Sequence, residues 1–183
     1  MRIENLKERY RINASFIPFP LHPETPEEGR SLETLFAGRN LDLPRMQSHM
    51  MELMQAEGLP YGDRTMTFNS RLAQELAKWV DTKIDDSTIH TLLFQAYFVE
   101  GINLSCVDNL VSIARQAGMD PEETRNILIN RNFQNAVDSD WQRSLKLGIT
   151  SVPTFVINDQ VVAGAQPFEV LEQLVLAGGA TAR

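Results

Sequence analysis

The sequence has 183 residues and a single cysteine, Cys106. One thiol cannot close an intramolecular disulfide, which suits a reducing compartment and predicts a cytoplasmic protein. Histidine is nearly as scarce, and His22, His49 and His90 fall at no ligand spacing, so no metal site is expected. No run of 18 apolar residues occurs, so no membrane span is expected. The opening Met1-Arg2-Ile3-Glu4-Asn5-Leu6-Lys7-Glu8-Arg9 lacks the apolar region of a secretory leader. Basic residues are outnumbered, 17 Lys and Arg against 24 Asp and Glu, for a net charge of −7. That balance argues against a nucleic-acid or anionic-membrane partner. A glycine-rich phosphate loop, internal repeats and low-complexity tracts are also missing. Paired carboxylates such as Glu122-Glu123 are better placed to cap a helix than to form an acid–base pair.

What is present is ordinary globular chemistry, with 43% hydrophobic and 22% charged residues. A chain of this length suits one domain, or one domain with a large insertion. Ile3, Leu6 and Tyr10 predict a helix over residues 2–10 that has no cap residue before it. Ala14-Ser15-Phe16-Ile17-Pro18-Phe19 reads as a short strand, which Pro18 and Pro20 confine to a sheet edge. From about residue 31 to 147 the pattern is helical almost throughout. Met46, Met50, Met51 and Met54 form a stripe that either packs into a core or makes a deformable wall beside a groove. Ile89, Leu92, Leu93 and Ala96, with Phe94 and Phe98 on another side, predict a central helix. Ser105 is expected to cap the next helix, and Asp120-Pro121-Glu122-Glu123 opens another. Phe133, Val137, Trp141 and Leu145 mark a long helix. Pro167 starts the last one, with Val170, Leu171, Leu174 and Val175 inward and Gly178-Gly179 as its stop.

The most informative stretch is Gly148-Ile149-Thr150-Ser151-Val152-Pro153-Thr154-Phe155-Val156-Ile157-Asn158. Gly148 suits the left-handed position that ends a helix. Val152 is held extended by Pro153, and the following β-branched and aromatic run reads as a buried strand. A proline directly before a core strand is tolerated at the strand's start, and an X-Pro bond there is a place for a cis peptide. Asn158-Asp159 then turns the chain into a second strand, Gln160-Val161-Val162-Ala163.

Val152-Pro153-Thr154-Phe155-Val156-Ile157, followed by Gly164-Ala165-Gln166-Pro167, resembles the cis-proline loop and closing hairpin-helix of the DsbA-like thioredoxin family. The similarity is closest to the cytosolic branch of polyketide-associated oxidoreductases and 2-hydroxychromene-2-carboxylate isomerases. Phe19-Pro20-Leu21-His22-Pro23-Glu24, Asn69-Ser70-Arg71-Leu72-Ala73, Ala96-Tyr97-Phe98-Val99-Glu100-Gly101 and Ala117-Gly118-Met119-Asp120 fit the same pattern in the same order. The resemblance implies an α/β, thioredoxin-like fold with a large all-helical insertion. Residues 1–30 and 133–183 would form an incomplete thioredoxin-like part, and 31–132 the insertion. Its first central strand, between those near 14–19 and 154–157, is absent from this sequence. The turn after that strand is where the family keeps Cys-x-x-Cys, or a serine in the isomerase branch.

Physics raises the same objection, because parallel strands need a crossover of about a dozen residues and the helix at 2–10 has no strand before it. Either the working protein carries a few dozen more residues ahead of Met1, or the chain is a remnant. In a remnant, exposed strand edges favour a homodimer or aggregation. What the resemblance carries over is a substrate-binding loop at Ser151, Val152, Pro153 and Thr154, whose backbone pairs with a bound peptide. The partner is then a peptide or small molecule bearing a thiol or disulfide, with no cofactor. The activity implied is thiol-disulfide exchange, conditional on the missing segment. The alternatives are a glutathione-dependent isomerase or transferase relative and a non-catalytic peptide-binding remnant. Ala165-Gln166-Pro167, in place of the Asn-Asp-Arg of the glutathione users, favours the oxidoreductase branch. Cys106, expected near a helix N-terminus where the dipole favours a thiolate, is a lone thiol with no resolving partner and lies outside the family's motif.

Overall fold

A computed structural model describes residues 2–39 and 41–183. The chain forms two units, one of Met1–Leu21 with Asp140–Arg183 and one of His22–Ser139. The sequence reading placed the junctions at 30/31 and 132/133.

The first unit begins with α1 (Arg2–Arg9), whose Leu6 is 1% exposed. It continues with the end of α8 (Gln134–Lys146), then β3 (Thr154–Ile157), β4 (Gln160–Ala163) and α9 (Phe168–Ala177). Leu6, Leu171 and Val175 form its core, with Ile3, Ile12, Phe155, Ile157 and Phe168 packed around them. Phe155 and Ile157 lie two apart on β3 and so share the face turned to this core. Val170, expected inward, is 36% exposed instead. Gly178 lets the end of α9 close down on β3, because a Cβ there would stand 2.3 Å from Ile157 Cγ2. Ile157 is β-branched, so few rotamers are open to it. Gly178→Ala is therefore expected to cost about 1–3 kcal/mol, read as a lower urea midpoint. An unchanged midpoint would show that the strand gives way.

Residues 14–19 are not a strand. A strand exists only where a neighbour completes its hydrogen bonds, and among the described residues β3 pairs with β4 alone. The backbone pairing lies earlier in the chain. Tyr10 bridges Ala182, Arg11 N–H donates to Thr181 O at 2.8 Å, and Arg183 N–H donates to Arg9 O at 3.0 Å.

The second unit is mostly helical. It holds α2 (Leu32–Leu35), α3 (Leu43–Ala56), α4 (Arg71–Val80), α5 (Thr88–Phe98), α6 (Val107–Gln116) and α7 (Pro121–Ile129). It also holds a two-residue ladder of β1 (Arg30–Ser31) and β2 (Met66–Thr67), which the helical pattern did not foretell. Leu76, Val80, Ile89, Leu110, Ala114 and Leu128 are at most 1% exposed and make one core from α4 to α7. One expectation fails here and one open choice is decided. α5 is not enclosed all round, since Ile89, Leu93 and Ala96 are buried but Phe94 is 55% exposed. The methionine stripe is not core, because α3 buries no residue at all.

Side-chain capping closes α2, α3 and α7, whereas the N-cap residues of α4, α5, α6 and α9 make no side-chain cap bond. The Asp120 carboxylate accepts from Glu123 N–H at 2.8 Å, with Pro121 in the first helical turn. In α6, however, Cys106 occupies the N-cap and makes no side-chain cap bond. Ser105 is drawn elsewhere, donating its hydroxyl to Glu27 O at 2.5 Å and Asn103 Oδ1 at 2.7 Å.

Candidate functional site

The loop between α8 and β3 is built from its ends. α8 stops because Gly148 takes a positive φ of 67°, with its N–H on Leu145 O and Ile149 N–H on Ser144 O, both at 3.0 Å. Val152–Pro153 is a cis peptide bond. Pro153 O accepts from Gly164 N–H at 2.7 Å, which ties the loop to the end of β4. Thr154 donates its hydroxyl to Ser151 O at 2.7 Å, closing the loop on itself. The hairpin below is in register from Thr154 opposite Ala163 to Ile157 opposite Gln160. Its turn is made by Asn158 at φ 53°, a residue that tolerates the left-handed region where a glycine would be the stronger signal. After β4, Gln166 folds back so that its side-chain Nε2 donates to Ala163 O at 2.7 Å and its N–H donates to Gly164 O at 2.9 Å.

The structure brings Ser151, Val152, Pro153 and Thr154 together as one loop, with Ser151, Val152 and Pro153 exposed and Thr154 half-buried. Val152 is 48% exposed, and among the described residues its N–H and carbonyl make no hydrogen bond. A free donor and acceptor on one exposed residue can pair with a second, extended chain. Cys106 is exposed and belongs to the helical unit, whereas the loop belongs to the other. His22, His49 and His90 lie beside Glu24, Glu52 and Asp81 respectively. Among the described residues no three His, Cys, Asp or Glu side chains gather as a metal centre requires.

The charged cluster around Glu75 escaped the sequence reading. Glu75, 1% exposed, accepts from Arg131 Nε at 2.8 Å, from Arg131 Nη2 at 2.6 Å and from Arg71 Nε at 2.8 Å. Arg71 also reaches Asp138 Oδ1 at 2.7 Å and Gln134 O at 2.9 Å. The signal available was the Arg71–Glu75 spacing of four on a helix. Nothing local marks Arg131 as its distant partner. This cluster ties Arg71 and Glu75 of α4 to Arg131 and Asp138 within the helical unit.

The chain matches the DSBA-like thioredoxin domain over residues 1–176. Among solved structures it is similar to a probable DsbA oxidoreductase, SCO1869, from Streptomyces coelicolor. That match has a TM-score of 0.78 and 26% identity, and covers 87% of this chain and 72% of that one. A cytosolic disulfide reductase, DsbM, from Pseudomonas aeruginosa, solved with GSH, matches at a TM-score of 0.53 and 16% identity, covering 74% and 78%. At that identity the likeness concerns the fold alone. The uncharacterized protein YwbO of Bacillus subtilis (strain 168) is 32% identical over 87 residues, which span 47% of this chain and 44% of YwbO. The mostly helical architecture with few strands is thus the thioredoxin-like DsbA fold with its helical insertion. This chain belongs to the DSBA-like thioredoxin domain family.

Proposed function

We propose that this protein takes part in thiol-disulfide exchange as a DsbA-like oxidoreductase of the cytoplasm, and that Ser151–Thr154 is its substrate-docking loop. The observation that carries this reading is the exposed Val152, whose backbone donor and acceptor make no hydrogen bond among the described residues. An extended peptide or a small thiol-bearing molecule adds there as a short strand, which holds its sulfur in place. In the exchange a thiolate attacks one sulfur of a disulfide, forms the mixed disulfide and releases the other sulfur as a thiolate, and a second cysteine resolves the product. With one cysteine in these 183 residues, the reading assigns the reactive pair to polypeptide outside them. Cys106, in the other unit and without a resolving partner, takes no part in it.

Two measurements test this. The first is the coding sequence ahead of Met1, where an in-frame strand ending in Cys-x-x-Cys supports the reading and an immediate in-frame stop defeats it. The second is Val152→Pro, which deletes the unused N–H and leaves the carbonyl. Loss of one hydrogen bond of about 1 kcal/mol should weaken binding of an extended S-methylcysteine peptide roughly five-fold by calorimetry. Unchanged affinity would place the substrate elsewhere.

A further inference from the structure

The longest helix among the described residues has no core of its own. α3 runs for 14 residues without one buried side chain. A helix of that length is marginal in water unless an apolar face is covered. Met46, Met50 and Leu53 follow the spacing i, i+4, i+7 and so share a face. They are 44%, 43% and 47% exposed. Beside this stripe runs a shallow concavity of about 560 Å³, which Met46 lines together with Arg45, His49 and Glu52. The Glu52 side chain is 78% exposed, and the ion-pair partner it meets is His49, at 4.0 Å.

We propose that α3 is a self-association surface, covered in solution by a second copy of this chain with the two α3 helices antiparallel about a two-fold axis. The charges choose this occupant. With the axis between Ser48 and His49, Arg45 of each copy comes level with Glu52 of the other, so one symmetric contact forms two opposite-charge pairs. In the same register Met46 of each copy comes level with the gap between Met50 and Leu53 of the other, where an unbranched thioether fits an irregular hole. The whole pattern lies within Arg45–Leu53 and complements itself, which an unrelated partner would have to match by its own sequence. One helix from each copy makes a contact at the small end of specific interfaces, so the dimer dissociates on dilution. This surface is independent of the redox reading.

Sedimentation velocity on the full chain, from low micromolar to submillimolar concentration, tests it. The expected result is a monomer–dimer equilibrium, abolished by Met50→Lys with an unchanged circular dichroism spectrum. Arg45→Glu and Glu52→Arg should each raise the dimer Kd several-fold, and the double variant Arg45→Glu/Glu52→Arg should return it toward the original value. A monomer at every concentration would overturn the proposal, as would a dimer indifferent to Met50→Lys or a double variant no better than the singles. If Met50→Lys unfolds, the exposed charge exchange still decides.

Discussion

Glu75→Gln is expected to destabilise the helical unit by about 3–5 kcal/mol, the cost of breaking a buried ion pair from one side. The carboxylate is 1% exposed and takes three hydrogen bonds from Arg71 and Arg131. Glutamine keeps one acceptor oxygen and turns an amide N–H₂ toward guanidinium N–H groups. Donor then faces donor, and Arg131 loses the carboxylate it grips with two bonds, while Arg71 keeps Asp138. The same site sets an acid limit. Burial raises the Glu75 pKa, but the hydrogen bonds and charges of Arg131 and Arg71 outweigh it and hold the carboxyl below its ordinary value. A carboxyl with a lowered folded-state pKa contributes stability that is fully present above its unfolded value, about 4.3. That contribution is lost as pH falls toward the folded value. Urea midpoints measured from neutral pH down through the carboxylate range should therefore fall more steeply for the native chain than for Glu75→Gln. A loss under 1 kcal/mol at neutral pH, or parallel pH profiles, would show that the cluster is solvated and weak.

Leu110→Ala is the second large effect, at about 2–5 kcal/mol. Leu110 is fully buried on α6, in the core that also holds Leu76, Ala114 and Leu128. The surrounding helices are fixed by one another, so the vacated space collapses only in part and the cavity term remains. Leu145→Ala removes the same atoms from a side chain that is 66% exposed, and should stay within about 0.5 kcal/mol. The difference between the two urea midpoints is the readout. Equal losses would mean that α6 and α7 repack freely around a small residue.

Where a few neighbouring residues decide the structure, the sequence was readable. Asp120-Pro121 announced the start of α7, Gly148 the end of α8, and Asn158-Asp159 the turn between β3 and β4. Each is a local contest between backbone conformations, settled within a turn of chain. Residues 14–19 were misread because β-propensity describes a willingness to pair and cannot supply the neighbour. Ser105 was misread as a cap because its hydroxyl had a distant alternative at Glu27 O. For Met46, Met50 and Met51 the sequence leaves core and groove wall open, because helical spacing reports that a face is apolar, not what lies against it. At the candidate site, Ser151–Thr154 was legible from the proline and the strand after it. The free backbone groups of Val152 required the three-dimensional arrangement.

The pairing of Arg9 and Arg11 with Thr181 and Arg183 carries the fold past the family limit. The family match stops at residue 176, yet the hydrogen bonds run on to the last residue. A version trimmed to the family limit would cut into α9, which extends to Ala177, and strip the partners from Arg11 N–H and Arg9 O. The C-terminal residues thus serve as a clasp on the segment that follows α1. An affinity tag fused directly after Arg183 would pull on that clasp, whereas one set off by a flexible spacer would leave it fastened.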